Sequence, residues 1–101
     1  MPWQPLDRPY LWQHLTATTQ MDSKPRILNA ITINRPDPAA GCTVTVYDGI
    51  GVTATIIAII VLDSALFVIP TTLTYDAGYT TGLYMAFSAG ITLADLTVSY
   101  R

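Results

Sequence analysis

At 101 residues the chain has room for one domain and one core, and a chain of this size buries roughly two-thirds of its unfolded surface. Half of the residues are hydrophobic, 12% are charged against about 25% in an ordinary globular domain, and the formal net charge is -2. That balance excludes a basic footprint for nucleic acid. It also leaves too few charged groups to solvate a monomer's exterior, so other chains are expected to cover part of it.

Residues 1–25 read as an extended N-terminal arm. Pro2, Pro5 and Pro9 deny it a helix, and Trp3, Tyr10, Leu11 and Trp12 are bulky anchors that gain little while exposed to water. Such an arm lies over its own domain or docks on a neighbour. If it docks on a neighbour, its removal leaves the rest of the chain folded. Thr16, Thr18 and Thr19 favour pleated backbone, which admits a first strand within residues 12–19, although the alternation there is poor. No cationic segment precedes an apolar one, so a signal peptide is not expected. Asp22-Ser23-Lys24-Pro25 is a polar break, after which residues 26–101 form the expected sandwich domain.

Residues 26–34 are the first clear strand, with Ile31 and Ile33 on one face and Thr32 and Asn34 on the other. Residues 36–41, rich in Pro and Gly, turn the chain into a second strand. There Cys42, Val44 and Val46 point inward and Thr43, Thr45 and Tyr47 outward. Asp48-Gly49 then supplies a hairpin turn. The next strand, residues 52–62, begins by alternating and then becomes apolar on both faces, which implies cover on both sides. One cover is the opposing sheet; the other is the arm or a partner subunit. Residues 65–69 resume the run and Pro70 closes it. Residues 71–75 alternate with Leu73 and Tyr75 on one side, and Asp76-Ala77-Gly78 reads as a turn. Leu83, Met85 and Phe87 face inward on the following strand, Ser88-Ala89-Gly90 is the last turn, and residues 92–100 close the chain. Short alternating strands at this spacing indicate an all-β, antiparallel sandwich, either jelly-roll-like or a partly open barrel.

The chemistry-bearing residues are sparse. His14 is the only histidine and glutamate is absent, so neither a His-based triad nor a multi-histidine metal site is available. Asp48, Asp63, Asp76 and Asp95 sit in or beside turns, where a carboxylate ordinarily accepts from backbone N–H groups. A calcium ion bridging Asp48 and Asp76 lacks the spacing of a calcium loop. Cys42, the single cysteine, faces inward as core filling, and nothing points to a cofactor. Lys24, Arg26 and Arg35 fall near a strand start as a solvated edge. A membrane helix over residues 52–69 is opposed by Asp63 within it, by its β-branched composition and by the lack of basic flanks. A ligand- or carbohydrate-binding sandwich is the remaining alternative, with Tyr47, Tyr75, Tyr79, Tyr84 and Tyr100 as stacking candidates. The ordinary role of such tyrosines is to cover strand faces.

Several motifs carry a family resemblance: Ile31-Thr32-Ile33-Asn34; Gly41-Cys42-Thr43-Val44-Thr45-Val46-Tyr47-Asp48-Gly49; Tyr75-Asp76; Thr81-Gly82-Leu83-Tyr84; and the ending Ala94-Asp95-Leu96-Thr97-Val98-Ser99-Tyr100-Arg101. Together they resemble small virion proteins of tailed bacteriophages and prophages. The resemblance implies a non-enzymatic structural protein with a β-sandwich or jelly-roll-like fold. Its expected role is head decoration, as a cement protein made in the host cytoplasm. It would sit on the capsid exterior as a homo-oligomer, often a trimer, against the major capsid protein. A minor tail or head-tail connector component is the near alternative. The interface expected on this reading joins Trp3, Tyr10 and Trp12 of the arm, docked on a neighbour, with Ile57, Ile59 and Val61 covering a subunit contact. The apolar run 56–62 and the aromatic arm lie outside the resemblance.

Overall fold

Alternating apolar and polar residues build eight strands in the computed structural model, which describes residues 10–38, 41–51, 55–62 and 70–101. They are β1 (Leu11–Leu15), β2 (Thr19–Asp22), β3 (Arg26–Arg35), β4 (Thr43–Asp48), β5 (Thr55–Val61), β6 (Thr71–Tyr79), β7 (Leu83–Phe87) and β8 (Asp95–Tyr100). One sheet has the order β1-β8-β3-β6 and the other β2-β7-β4-β5, with every pairing antiparallel. The pairing follows a simple rule. β4 meets β5, β3 meets β6, β2 meets β7 and β1 meets β8, as in one long two-stranded ribbon folded over itself. Contacts β8–β3 and β7–β4 then close the two sheets. This is the jelly-roll order, and it decides between the two all-β architectures that the sequence left open.

The core lies between the sheets. Ile31, Ile33, Leu96 and Val98 from one sheet, and Val44, Val46, Leu83 and Met85 from the other, are completely buried. Each such side chain contributes about 1.5–3 kcal/mol through removal from water. Cys42 is buried among them and unbridged, as core filling. The inward sets expected for the strands at Ile31, Cys42 and Leu83 are the observed ones, except that Phe87 is only partly buried.

Three expectations are corrected. The sandwich begins at Leu11 rather than at residue 26. β1 pairs with β8 from Leu11↔Tyr100 to Leu15↔Leu96, and β2 pairs with β7, so the second half of the expected arm is an edge strand of each sheet. Leu15 and Met21 reach the core from these strands, and removing residues 1–19 would strip β1 away. The weak alternation of residues 12–19 hid this, because β1 and β2 are short and a break at residues 16–18 separates them.

Asp76-Ala77-Gly78 is not a turn. β6 runs on to Tyr79, and Asp76 takes its left-handed conformation (φ 52°) inside a bulge opposite Leu28–Ala30. A residue that tolerates a left-handed backbone suits a turn or a bulge equally, and pairing with β3 selects the bulge. The chain reverses instead at residues 80–82, beside the Asp48 carboxylate.

Finally, β5 does not alternate evenly. Val46 pairs with Ala58 but Tyr47 with Ile56, so Ile57 is an extra residue in β5 and turns toward the core. Trp3 and the strand expected at residues 65–69 lie outside the described residues, as do residues 52–54 of the strand expected at 52–62.

Candidate docking surfaces

The polar side chains of the sandwich are mostly committed to holding it together. Asp37 is fully buried, and its Oδ1 accepts from three consecutive backbone N–H groups: Thr92 at 2.8 Å, Leu93 at 2.7 Å and Ala94 at 3.0 Å. Its own N–H donates to the Leu62 carbonyl at 2.8 Å. Asp37 therefore ties the connection leaving β3 to the approach to β8 and to the end of β5. Asp48 repeats the device, accepting from the N–H groups of Thr80 and Thr81, each at 2.9 Å. Those bonds, Thr80 foremost, hold its carboxyl below the usual carboxylate range.

Gln20 closes the same end. Its amide donates to the carbonyls of Asp22, Gly49 and Leu83, while its Oε1 accepts from the Gly51 N–H at 3.1 Å. Gly82 lies so close to this knot that a Cβ there would stand 2.6 Å from the Asp22 carbonyl oxygen. Asp22 Oδ2 accepts from the Tyr79 hydroxyl at 2.8 Å and lies 2.9 Å from Arg26 Nε, an ion pair whose N–H direction misses hydrogen-bond geometry. Burial foremost, and then Asp22, push the Tyr79 hydroxyl far above the ordinary tyrosine range. These groups work as struts, and among the described residues neither a cavity nor a cluster of metal-binding side chains accompanies them.

The outer face of the β1-β8-β3-β6 sheet is cross-linked by polar side chains, with Trp12 exposed on its β1 edge beside Ser99 and Ile27 at its β3 end. Asn29 donates to Ser99 Oγ at 3.0 Å, Thr32 and Thr72 share a hydrogen bond at 2.9 Å, and Asn34 donates to both Asp95 and Thr97 at 2.9 Å. His14 Nε2 meets Asp95 Oδ1 at 2.7 Å. Burial raises the Asp95 carboxyl, but the bonds from His14 and Asn34 outweigh it and leave the group below its ordinary range. The pair is open to solvent and lines no cleft.

The outer face of the β2-β7-β4-β5 sheet has a different chemistry. Tyr47 stands between Tyr84 and Ile56 in register, and Thr45 between Ala86 and Ile59, with Thr43 beside Val61. The two tyrosine rings are tilted, with centroids 6.0 Å apart. Ile56, Ile59 and Val61 stand 51%, 59% and 41% exposed, and no described side chain of this face carries a charge. Isolated exposed aliphatics are ordinary; three on one strand beside an uncharged sheet surface make a patch.

The expected interface residues are thus split between the sheets. Tyr10 and Trp12 belong to the β1 edge, Tyr10 beneath the Arg101 guanidinium at 5.4 Å and Trp12 exposed. Ile59 and Val61 belong to the outer side of β5, at the edge of the other sheet. Ile57 leaves the set because the bulge turns it inward, and Ile56 takes its place. Ile56 was hidden by the assumption of unbroken alternation, which put Ile57 rather than Ile56 beside Ile59 and Val61. Of the tyrosines considered for sugar stacking, Tyr79 and Tyr100 are buried and Tyr75 packs on the core. Only Tyr47 and Tyr84 reach this outer face. No helix among the described residues is long and apolar enough to cross a membrane.

The fold and its surfaces define a small all-β sandwich whose candidate functional features are exposed faces. In comparison with known proteins, no family model, curated protein or solved structure matches the chain.

Proposed function

We propose that this chain is a non-enzymatic virion structural protein of a tailed bacteriophage, a decoration or cement protein that binds the outside of the head and bridges neighbouring subunits of the major capsid protein. The observation that carries the reading is the uncharged outer face beside β5, with Ile56, Ile59 and Val61 exposed. Such a surface gains free energy only when another protein covers it. The resemblance of Ile31-Thr32-Ile33-Asn34, the segment from Gly41 to Gly49 and the ending from Ala94 to Arg101 to small phage virion proteins favours the same reading. A jelly roll suits the task, because its hydrogen-bonded sheets keep two flat outer faces rigid while the core carries the load. A second exposed group, Tyr10 and Trp12 on the edge of the other sheet, supplies aromatic anchors of the kind that dominate protein contacts. Bridging two shell subunits requires two separate contact surfaces, and the two sheets supply one each.

Quantifying the protein in purified particles tests the proposal. A copy number close to that of the shell protein is expected, with loss of the protein lowering the temperature at which heads rupture. A handful of copies per particle would move it to a tail or connector position. Complete absence from particles would overturn the virion reading.

A further inference from the structure

We infer that the aromatic edge of the β1-β8-β3-β6 sheet docks an acidic protein segment, which sets a carboxylate against the Arg101 guanidinium while its apolar groups cover Tyr10, Trp12 and Ile27. This rests on the reading of that edge as a contact with the shell, and it names the chemistry that the shell subunit presents there.

Backbone pairing brings the patch together. Arg101 directly follows β8 and exchanges two backbone hydrogen bonds with Ile27, at 2.7 and 2.9 Å. Leu28 and Tyr100, the next pair, turn inward, so Ile27 and Arg101 turn outward. On the other side of Arg101, the Tyr10 ring lies beneath its guanidinium at 5.4 Å. The cation therefore stands between an aromatic and an aliphatic side chain, with Trp12 further along β1 opposite Ser99. Gly78, opposite Ile27 on β6, adds no side chain to the patch. Tyr10, Trp12, Ile27 and Arg101 are all exposed.

The position of the cation decides what can cover it. A surface that buries Tyr10 and Ile27 also buries the group between them, and a guanidinium cannot shed its charge. Buried without an anion, it would lose its hydration with nothing in return. The described residues supply no such anion: the ion pairs among them join His14 to Asp95 and Arg26 to Asp22, and no carboxylate pairs with Arg101. An acidic surface is the complementary one. The Tyr10 ring takes one face of the guanidinium and leaves its N–H edge for the two parallel hydrogen bonds that a planar carboxylate accepts.

Two measurements test the inference, with unchanged thermal melting verifying that each variant is folded. In the first, the full chain is bound to heads assembled without it, at about 0.05 and 0.3 M NaCl. Arg101→Gln should weaken binding at least ~10-fold at low salt and remove most of the salt dependence. Arg101→Lys should fall between, because an ammonium keeps the charge and loses the two-point geometry. Trp12→Ala should weaken binding alike at both salt concentrations, and Lys24→Gln, which removes an exposed cation elsewhere, should leave it unchanged. In the second, NMR follows the Arg101 Nε–H and Trp12 indole signals of the full chain as N-acetyl-Leu-Asp-Leu-amide or its Asn counterpart is added to millimolar concentration. The Asp peptide alone is expected to shift both signals. Heads that bind Arg101→Gln as tightly as the wild type overturn the acidic contact and leave the virion reading standing. If the wild type does not bind heads, the virion reading fails and the peptides decide. A response to Asp over Asn then retains the acidic contact, and equal or absent responses overturn it.

Discussion

The two outer faces of this sandwich are built from the same strand geometry and similar residue types, yet they carry opposite chemistry. On the β1-β8-β3-β6 side, Asn29, Thr32, Asn34, Thr72, Asp95, Thr97 and Ser99 bond one another across the strands. On the β2-β7-β4-β5 side, Thr43, Thr45 and Tyr47 lie beside Ile56, Ile59 and Val61, and among the described side chains the cross-strand neighbours are apolar or aromatic. The polar groups of the ladder satisfy one another in water, and only Trp12 at its β1 edge and Ile27 interrupt it. An aliphatic row beside threonines leaves apolar surface in contact with water, and cover by another protein would remove that cost. The lesson is that threonine content says little about a β surface until the cross-strand partners are known.

Breaking the scaffold that keeps the faces distinct gives the largest effect. Asp37→Ala leaves three N–H groups without their acceptor, one of them buried, and unties the β3 exit from the approach to β8, while the backbone bond from residue 37 to the Leu62 carbonyl remains. A loss on the order of 3 kcal/mol is expected, seen as a melting temperature lowered by more than about 10 °C, with both faces disordered together. A drop confined to one face, read by hydrogen exchange, would show that the sheets do not depend on this tie.

Gly82→Ala comes next. Its Cβ would meet the backbone oxygens of Asp22 and Gly49 at 2.6 and 3.0 Å, so the Gln20 knot must open, at a cost of roughly 1–3 kcal/mol in denaturant unfolding. The damage should fall on the β2–β7 end, where hydrogen exchange would report it.

Acid sharpens the comparison, because each side has one carboxylate held below its usual range. Asp48 serves the turn beside β7, and Asp95 the polar ladder. A depressed carboxyl stabilises the fold above its unfolded-state pKa near 3.8, and this contribution disappears as pH falls through the lower folded-state value. Asp48→Asn should therefore melt below the wild type at pH 6, and the difference should narrow as pH falls below about 4. A difference independent of pH would mean that the carboxylate charge plays no part in the turn.

Asn34→Ala removes two exposed hydrogen bonds from the ladder and should cost about 1 kcal/mol or less, measured by denaturant midpoint. The smallest effect on stability belongs to Val61→Thr, within about 0.5 kcal/mol, since its side chain is exposed on the apolar face. Reduced incorporation into particles with unchanged melting would mark that face as functional. Normal incorporation would move the contact elsewhere.

The candidate surfaces were only partly legible in the sequence. Ile59 and Val61 were accessible to simple alternation because their segment was apolar on both faces. Ile56 was not, since the bulge at Ile57 reverses the parity and nothing local announces it. Trp12 was legible as an anchor but was placed on a free arm, because a five-residue edge strand leaves too short a pattern to recognise. The Asp37 tie was invisible in the chain, where its acceptor and donors lie more than fifty residues apart.

What the sequence by itself determined was the strand material. Period-two alternation at Ile31–Asn34, Cys42–Tyr47 and Leu96–Tyr100, punctuated by Gly, Pro and Asp, allows an all-β sandwich with those inward faces and little else. Tertiary structure alone decided the jelly-roll order, the enrolment of residues 11–22 as edge strands, the conversion of Asp76 from turn to bulge, and the separation of the aromatic and aliphatic groups into different sheets. The physical reason is range. Alternation and turn propensity act between neighbours in the chain, whereas strand order and bulges are fixed by pairings such as Leu11↔Tyr100 and Ile27↔Gly78, which only the folded core brings together.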